Sequence, residues 1–245
     1  MKKLFLSVFL ISSTLFSLQV SVIIPCHASH ARRLLGLLDA LSAQTLIPNK
    51  VVISVSETNN DSEAISTMLR LLSWPFDLKV VTSERVQFPG ENRNIAASHI
   101  DDGIVVLQDA DDIPHPQRLE IIHYFFDKYG CDHLMHNWIR SKRAYSLLQK
   151  RFKKDKISFL FFYYYDQLGF NRFFGKYMHL QNGNIAVKRS VLDYHHWSEK
   201  PEHRYGDDVL FNQEIYKDPE LKKIVIDCPV FIYQKELSTF DTKFH

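Results

Sequence analysis

The stretch GIVVLQDADDIPHP, Gly103–Pro116, decides the fold. It begins with an apolar run, Ile104-Val105-Val106-Leu107, which is typical of a buried parallel strand. After the run come three carboxylates: Asp109, Asp111 and Asp112. A proline pair, Pro114 and Pro116, then predicts the start of a helix.

Carboxylates crowded at the end of a strand repel one another unless a cation lies between them. In open α/β sheets the carboxyl edge of the strands is also where ligands bind. These residues therefore predict a site for a hard divalent ion that presents an anionic group, with a diphosphate as first candidate. The alternative is an acidic turn that is exposed to water and caps the next helix.

Length and composition narrow the class of protein. A chain of 245 residues can bury one substantial core, and its net charge of +2 gives no global field that would indicate nucleic acid as a partner. The cysteines Cys26, Cys131 and Cys228 are far apart and odd in number. This favours free thiols, and one disulfide with one free thiol is the alternative. The phosphate-binding patterns GxxxxGK[ST] and GxGxxG do not occur.

Residues 1–18 read MKKLFLSVFLISSTLFSL, in which two lysines precede a short apolar run. The pattern is typical of a signal peptide or a short hydrophobic anchor, and the run is shorter than the roughly 20 residues that span a bilayer. The alternative is an N-terminal helix that packs on the domain. A signal would make the protein secretory or membrane-associated, and without one we expect the cytoplasmic face of a membrane.

Strands and helices alternate along the rest of the chain. Strands are predicted at residues 20–24, 50–55, 78–82, 104–107, 183–187 and 223–226, and helices at 30–42, from 60, at 91–99, 116–129 and from 206. The helix from Asn60 is expected to use Glu63 as its capping partner. Its buried stripe is expected to be Ile65, Met68, Leu69 and Leu72. The alternation predicts an α/β fold with a mostly parallel central sheet flanked by helices.

Between residues 140 and 156 the composition becomes basic. Eight of these seventeen residues are Lys or Arg, against one acid, Asp155, and the aromatic run FLFFYYY follows at 159–165. One interpretation is a solvated basic helix before a buried aromatic segment. The other is a basic and aromatic surface, within residues 140–165, that meets an anionic membrane or an acceptor.

Five motifs, in this order along the chain, resemble the GT-A glycosyltransferases, especially the inverting family-2 group. They are VSVIIPCHA (20–28), Gly90 with NRNIA (92–96), DADD (109–112) with Pro116, NGN (182–184) with Arg189-Ser190, and GDD (206–208). The resemblance implies a GT-A domain over residues 19–245. Its nucleotide-sugar-binding half would be 19–130, and its acceptor-side half would be 131–245.

The resemblance also implies a binding site for the donor. Asp111 and Asp109 would hold Mn²⁺ or Mg²⁺ against the donor's diphosphate, because a hard ion prefers oxygen ligands and the leaving nucleotide accumulates negative charge. Asp109 would also face the ribose or uracil, and Asp112 would support the metal or touch the sugar. The full set of implied donor-binding residues is Pro25, Cys26, His27, Glu57, Arg93, Asp109, Ala110, Asp111 and Asp112.

The implied chemistry is transfer with inversion to an acceptor hydroxyl. Asp208, with Asp207 beside it, would be the general base that takes the proton of that hydroxyl. The alternative for both is a helix N-cap. Arg93 would reach the diphosphate or the sugar, and its alternative is a salt bridge to Asp109 or Asp111.

Some positions depart from the family pattern. Ser56-Glu57-Thr58-Asn59 stands where the family often has Asp-Asp-Gly-Ser, so Glu57 would have to replace the base-contacting Asp, which leaves the nucleotide open. Asp207 stands where the family has Glu, and no Gln-x-x-Arg-Trp follows, which argues against a processive synthase. The implied donor is a nucleotide-diphospho-sugar, with UDP first. The alternatives are a nucleotidyltransferase, whose Gly-rich loop is missing from residues 26–33, and a non-catalytic nucleotide- or sugar-binding relative.

Overall fold

The first half of the chain builds four parallel strands in the spatial order β3-β2-β1-β4. The computed structural model describes residues 18–140, 145–162, 170–173, 176–179, 182–203 and 206–234. The strands are β1 (Val20–His27), β2 (Lys50–Ser56), β3 (Asp77–Ser83) and β4 (Ile104–Leu107). The helices between them are α1 (Leu34–Ser42), α2 (Asn60–Leu71) and α3 (Pro89–Ala97), with a 3-10 helix (Ala28–Arg33) before α1.

The second half extends the same sheet and adds a separate hairpin. Its strands are β5 (Ile113–Pro114), β6 (His133–Arg140), β7 (Phe159–Phe162), β8 (Phe170–Phe173), β9 (Lys176–His179), β10 (Ile185–Lys188) and β11 (Lys223–Tyr233). Its α-helices are α4 (Arg118–Tyr129), α5 (Tyr145–Leu148) and α6 (Asp207–Lys217). In the described residues of this half, 3-10 helices lie at Lys154–Lys156, Asn182–Asn184, Arg189–Asp193 and Pro201–His203. The full order is β3-β2-β1-β4-β10-β6-β11-β5, with β7 on β11 and β8 paired to β9.

The direction of β10 makes the sheet mixed. β10 runs antiparallel to both of its neighbours, β4 and β6, whereas β6 and β11 are parallel. The longer ladders, such as the seven residue pairs between β1 and β2, are all parallel. The predicted α/β fold with a mostly parallel central sheet is thus confirmed.

Helices cover both faces of the sheet, which explains why its strands are continuous apolar runs. In β1, Val22 and Ile24 face a core that includes side chains of α1, α2 and α4, while Ile23 faces a second core with α3 and α6. Since apolar side chains fill both faces of the sheet, its polar side chains lie mainly at the ends of the strands.

Several local predictions were wrong. The partner of Asn59 in the capping box of α2 is Ser62, not Glu63. In the same helix Met68 is exposed, as is Leu72, which follows the end of α2, although Leu69 is buried as expected. Strand β6 was not predicted, and Pro114 lies in β5, paired with β11, instead of opening α4.

The basic stretch also differs from its first interpretation. Its α-helical part within the described residues is one turn, Tyr145–Leu148, and Phe161 in the following aromatic run is exposed. The predictions for residues 1–17 and 163–165 lie outside the described ranges. In the described part of the chain, no helix has both the length and the apolarity to cross a bilayer. Cys26, Cys131 and Cys228 are free, as predicted, and all three are buried.

Candidate active site

The candidate site lies where β1, β2 and β4 end side by side. His27, the last residue of β1, is in register with Ser56, the last residue of β2. On the other side, Ile23 of β1 pairs with Leu107, after which the chain turns through residues 109–112. Parallel strands therefore bring two of the predicted motifs to one sheet edge, the usual ligand edge of such sheets.

Three consecutive polar residues of α3 organise this edge. The Asn92 amide accepts a hydrogen bond from the Ser54 hydroxyl (2.8 Å) and donates one to Ser56 Oγ (3.0 Å), which fixes α3 on the end of β2. Asn94 binds the backbone of Trp197 through both its amide atoms, at 2.9 and 3.1 Å. Arg93, between them, points toward the carboxylates.

Arg93 joins the two acidic motifs. Its Nη2 lies 3.3 Å from Asp109 Oδ1, and its Nη1 makes a short ion pair with Asp207 Oδ2. Arg93 and Asp207 are both buried. Burial opposes the charge on the guanidinium, yet the carboxylates of Asp207 and Asp109 raise the pKa of Arg93. Asp109 and Asp207, which are 98 positions apart in sequence, thus both contact the Arg93 guanidinium.

Asp208 lies in the first turn of α6 beside this cluster. The N-cap of α6 is Gly206, so neither aspartate is the capping residue. Burial, and next the charge of Asp207, raise the pKa of Asp208 to about 7. A carboxylate with such a pKa is suited to accept a proton at neutral pH.

Buried polar groups fix the position of α6. Asn212 donates to the backbone carbonyl of Asp208 (2.8 Å) and accepts from His133 Nε2 of β6 (3.0 Å). At the other end of α6, the buried Lys223 ammonium donates to the carbonyls of Ile215 and Tyr216, both at 3.3 Å. A cation at a helix C-terminus is favourable, so both ends of α6 are held.

The acidic turn after β4 holds carboxylates in different environments. Burial, then the charge of Asp109, raise the pKa of Asp111 to about 6. No described side chain donates a hydrogen bond to the Asp111 carboxylate. Asp112 is buried, and its Oδ1 accepts the backbone N–H of Gln234 at 2.8 Å. Asp112 therefore ties the turn to the end of β11, whereas among the described residues the Asp111 carboxylate is hydrogen-bonded only by its own backbone N–H.

A buried arginine supports the turn from below. Arg118, at the start of α4, donates to the carbonyls of Leu107 and Gly183, both at 2.7 Å. It also donates to Gln108 Oε1 (2.7 Å) and to His136 Nε2 (3.0 Å). Burial lowers the pKa of Arg118 to about 9, so the group is still cationic at neutral pH beneath the acidic turn.

We expect Arg118→Met to destabilise the fold by about 3 kcal/mol or more, because it leaves several buried acceptors without a donor. Urea unfolding would measure this as a lower midpoint. Lys128→Met, at an exposed position of the same helix, is the matched control and should cost no more than about 1 kcal/mol, the loss of a surface cation–π contact. Equal midpoints for the two variants would contradict the supporting role of Arg118.

His27 and Glu57 form a second part of the site. His27 Nε2 lies 3.4 Å from Glu57 Oε1, and both side chains are exposed. Glu57 has φ 53°, the left-handed conformation that non-glycine residues rarely adopt. Such strain persists where the surrounding structure enforces it, often at ligand contacts. Pro25 and Cys26 precede His27 in β1, and Cys26 is buried.

Two residues near the carboxylates were not singled out in the sequence. Burial and the charge of Arg33 lower the pKa of His30, while Asp109 acts in the opposite direction. The charge of Arg33 also acts on Asp111. Both residues belong to the 3-10 helix after β1, so this helix brings basic groups toward the acidic turn. In the sequence, His30 and Arg33 lie in a loop without glycine, and only their charge could have indicated a place in the site.

Glycines allow two close approaches around the site. A Cβ at Gly90 would overlap the carbonyl oxygen of Ser198, so the 197–198 backbone can dock on α3 only beside a glycine. A Cβ at Gly183 would lie 2.9 Å from Asp109 Oδ2 and 2.9 Å from the Phe231 ring. The turn before β10 is therefore packed directly against the acidic cluster.

The described residues contain no group of three or more His, Cys, Asp or Glu side chains arranged to hold a metal ion. Mg²⁺ and similar ions are often bound by one or two carboxylates, with the other oxygens coming from substrate phosphates and water. Asp111, which lacks a described side-chain donor and lies beside Asp109, fits this kind of partial site.

The chain matches one family model. The model of Glycosyl transferase family 2 matches residues 21–195. This range includes Arg93 and residues 109–112, and it ends before Asp207. A comparison with curated protein sequences found no match.

Solved structures share the fold. The S. aureus TarS 1–349 complex with UDP-GlcNAc has a TM-score of 0.66 and 18% identity over 93% of this chain and 61% of that one. The complex of the same protein with UDP has a TM-score of 0.63 and 19% identity over 88% and 60%. The mannosyltransferase PcManGT from Pyrobaculum calidifontis, with GDP-Man and Mn²⁺, has a TM-score of 0.62 and 15% identity over 94% and 60%. The present chain thus spans about 60% of the length of these chains and 36% of the length of the longer TarS structure.

Proposed function

Since the chain belongs to glycosyltransferase family 2, a family of EC class 2.4 enzymes, we propose that it transfers a sugar from a nucleotide-diphospho-sugar to an acceptor hydroxyl with inversion. The proposed donor is a UDP-sugar, and the reaction is proposed to need Mn²⁺ or Mg²⁺. The acceptor is left as a hydroxyl of a carbohydrate, lipid or protein.

One observation carries the proposal: Arg93 contacts both Asp109 and Asp207. The acidic turn of the proposed donor half and the first turn of α6 in the proposed acceptor half therefore lie within the reach of one guanidinium. A base and a donor site must share a pocket for direct transfer between them. Had α6 been on the other face of the sheet edge, the two motifs could not cooperate.

The residues have separate tasks in this proposal. Asp208 accepts the proton of the acceptor hydroxyl as that oxygen attacks the anomeric carbon, and the nucleoside diphosphate leaves from the opposite side. Arg93 pairs with Asp207 and opposes the rise in the pKa of Asp207 that burial causes. A divalent ion held by Asp111 and Asp109 would neutralise charge on the diphosphate.

The proposed preference for UDP depends on the pair His27 and Glu57. The Glu57 carboxylate is a hydrogen-bond acceptor, so it fits a base that presents a ring N–H, as uracil and guanine do, whereas cytosine and adenine offer an acceptor only an exocyclic amino group. UDP-GlcNAc and GDP-Man, the donors in the TarS and PcManGT structures, carry such bases. Family membership and the absence of glycine from residues 26–33 both favour this enzyme class over a nucleotidyltransferase.

A panel of nucleotide sugars, each tested for thermal stabilisation with Mn²⁺ and again with EDTA, tests the function. A ligand at 100 times its Kd stabilises the folded state by about 2.7 kcal/mol, which raises Tm by several degrees in a protein of this size. We expect UDP-sugars to stabilise, CDP- and ADP-sugars not to, and EDTA to remove the effect. Stabilisation that survives EDTA would contradict the metal, and a silent panel would contradict the donor class.

A further inference from the structure

A cationic and aromatic surface lies on the outer side of α4, away from the 109–112 turn. Its rings come from α4 and β7, and its ammonium groups from α4, residue 154 and residue 222. We call it the lysine–aromatic face; its members are Tyr124, Lys128, Tyr129, Lys154, Phe159, Phe161 and Lys222. None of these residues belongs to the candidate active site.

The rings of this face form one continuous cluster. The Tyr129 ring centroid is 4.5 Å from that of Phe159 and 6.2 Å from that of Phe161, and it lies 6.5 Å from Tyr124. Lysines cover the rings: Lys128 Nζ is 5.1 Å from the Tyr124 centroid, and Lys222 Nζ is 5.3 Å from that of Phe161. Such cation–π contacts keep the ammonium groups at the surface, next to the apolar rings.

The segment beside α4 adds further positive charge. Lys150, Arg151 and Lys153 are exposed and make no ion pair with any described residue. By contrast, the Lys154 ammonium pairs with Glu120 at 2.7 Å. The segment is held on α4 by Gln117, which binds the backbone of Phe152 at both its N–H and its carbonyl. The backbone that carries these charges is therefore fixed beside α4, and its Lys154 Nζ lies 5.6 Å from the Tyr124 ring centroid of the lysine–aromatic face.

β7 gives the face an exposed apolar edge. Side chains alternate along a strand, so Phe159 and Phe161 lie on the α4 side of the sheet and Leu160 lies on the other. The cross-strand partners agree, because Phe161 pairs with Ile224 of the α4-side core and Leu160 pairs with Val225 of the opposite core. Phe161 is 39% exposed and Leu160 43% exposed.

We propose that the lysine–aromatic face and its adjacent basic segment dock the protein on the surface of an anionic lipid bilayer. A bilayer interface provides anionic headgroups for the ammonium groups and an apolar layer just beneath them for an exposed ring. A single-stranded nucleic acid would need open ring faces on which to stack its bases. Here lysines already cover the rings of Tyr124, Tyr129 and Phe161. The proposal is independent of the donor, the metal and the proposed reaction.

The test is sedimentation of the purified full chain with vesicles, without nucleotide and with EDTA present. We expect binding to vesicles of phosphatidylglycerol and phosphatidylcholine and little binding to phosphatidylcholine alone. Each lysine or arginine near such a surface contributes about fivefold to the binding constant. Lys150→Glu/Arg151→Glu/Lys153→Glu should therefore weaken binding by 100-fold or more. The matched control, Arg32→Glu/Arg70→Glu/Lys79→Glu, makes the same charge change on the β3 side and should weaken it far less.

A second pair of variants separates membrane docking from binding to any polyanion. Phe161→Ser should reduce vesicle binding about tenfold, whereas Leu160→Ser, equally exposed on the other side of the same strand, should leave it unchanged. Circular dichroism and thermal unfolding establish that each variant is folded. The proposal is overturned if the wild type does not bind anionic vesicles, if the control triple variant loses as much affinity, or if polyphosphate binds as tightly and Phe161→Ser has no effect.

Discussion

Asp208→Asn is expected to lower the rate of sugar transfer by about 100-fold or more, because an amide cannot accept the proton of the acceptor hydroxyl. Donor binding should be unchanged, since Asn has the shape of Asp and the ion pair of Arg93 is with Asp207. Single-turnover transfer and donor titration, on the same preparation, measure the two quantities separately. Glu214→Gln, an exposed acid of the same helix, is the control and should leave both unchanged.

The pH dependence gives an independent test of the same residue. With a pKa raised to about 7, the Asp208 carboxyl keeps its proton at lower pH and cannot act as a base there. We expect kcat/KM of the wild type to fall about tenfold per pH unit below pH 7 and to level off above it. The Asn variant should lack this slope between pH 6 and 7, and below pH 6 both proteins should share the weaker donor binding expected from protonation of Asp111. If kcat/KM of Asp208→Asn falls with the same slope as that of the wild type, the base is another group.

Asp111→Ala is expected to remove the Mn²⁺-dependent part of UDP binding. Loss of a metal contact to the diphosphate costs several kcal/mol, which corresponds to a fall in affinity of 100-fold or more. Calorimetric titration of UDP with and without Mn²⁺ measures the loss. Because the pKa of Asp111 is about 6, protons should compete with the metal below that pH and weaken UDP binding in the wild type.

Asp101→Asn is the matched control for the Asp111 variant. Asp101 is exposed and lies before β4, whereas Asp111 lies after it. The Asp101→Asn substitution therefore removes one negative charge from the opposite edge of the sheet. Its UDP affinity with Mn²⁺ should equal that of the wild type. Equal losses of UDP affinity in both variants would mean that the net charge of the protein, and not metal coordination by Asp111, governs the affinity.

The sequence was most informative where local pattern and buried position agree. β4 was predicted at its exact bounds because an apolar run of four residues, buried on both faces, precedes the acidic turn. The helix predicted at residues 30–42 is a 3-10 helix up to Arg33 and an α-helix from Leu34 to Ser42. In such places the side chains that define the pattern are also those that fill the core.

The prediction failed where burial depends on distant partners. β6 contains His133, His136 and Asn137, so its composition does not look like that of a central strand. His133 is buried because Asn212 binds it, and His136 because Arg118 donates to it. Partners of this kind allow polar side chains to be buried, and no local pattern records the partner.

The same limit applies to the candidate site. Arg93 and the aspartates at 109, 111, 207 and 208 were singled out from their motifs. The polar contacts that hold them were not, since they join residues far apart in sequence: Asn94 with Trp197, Asp112 with Gln234, and Arg118 with Gly183. The antiparallel direction of β10 brings Gly183 to Asp109, and strand composition alone does not encode direction.

The reversal of β10 also has a practical use. Because the turn before β10 packs on the acidic cluster, the chain that leaves β10 emerges at the opposite edge of the sheet, where the Arg189 N–H binds the Gly103 carbonyl. Tyr194 follows there and is 84% exposed. With all three native thiols buried, a cysteine introduced at position 194 would accept a maleimide dye selectively, on a surface remote from the candidate site.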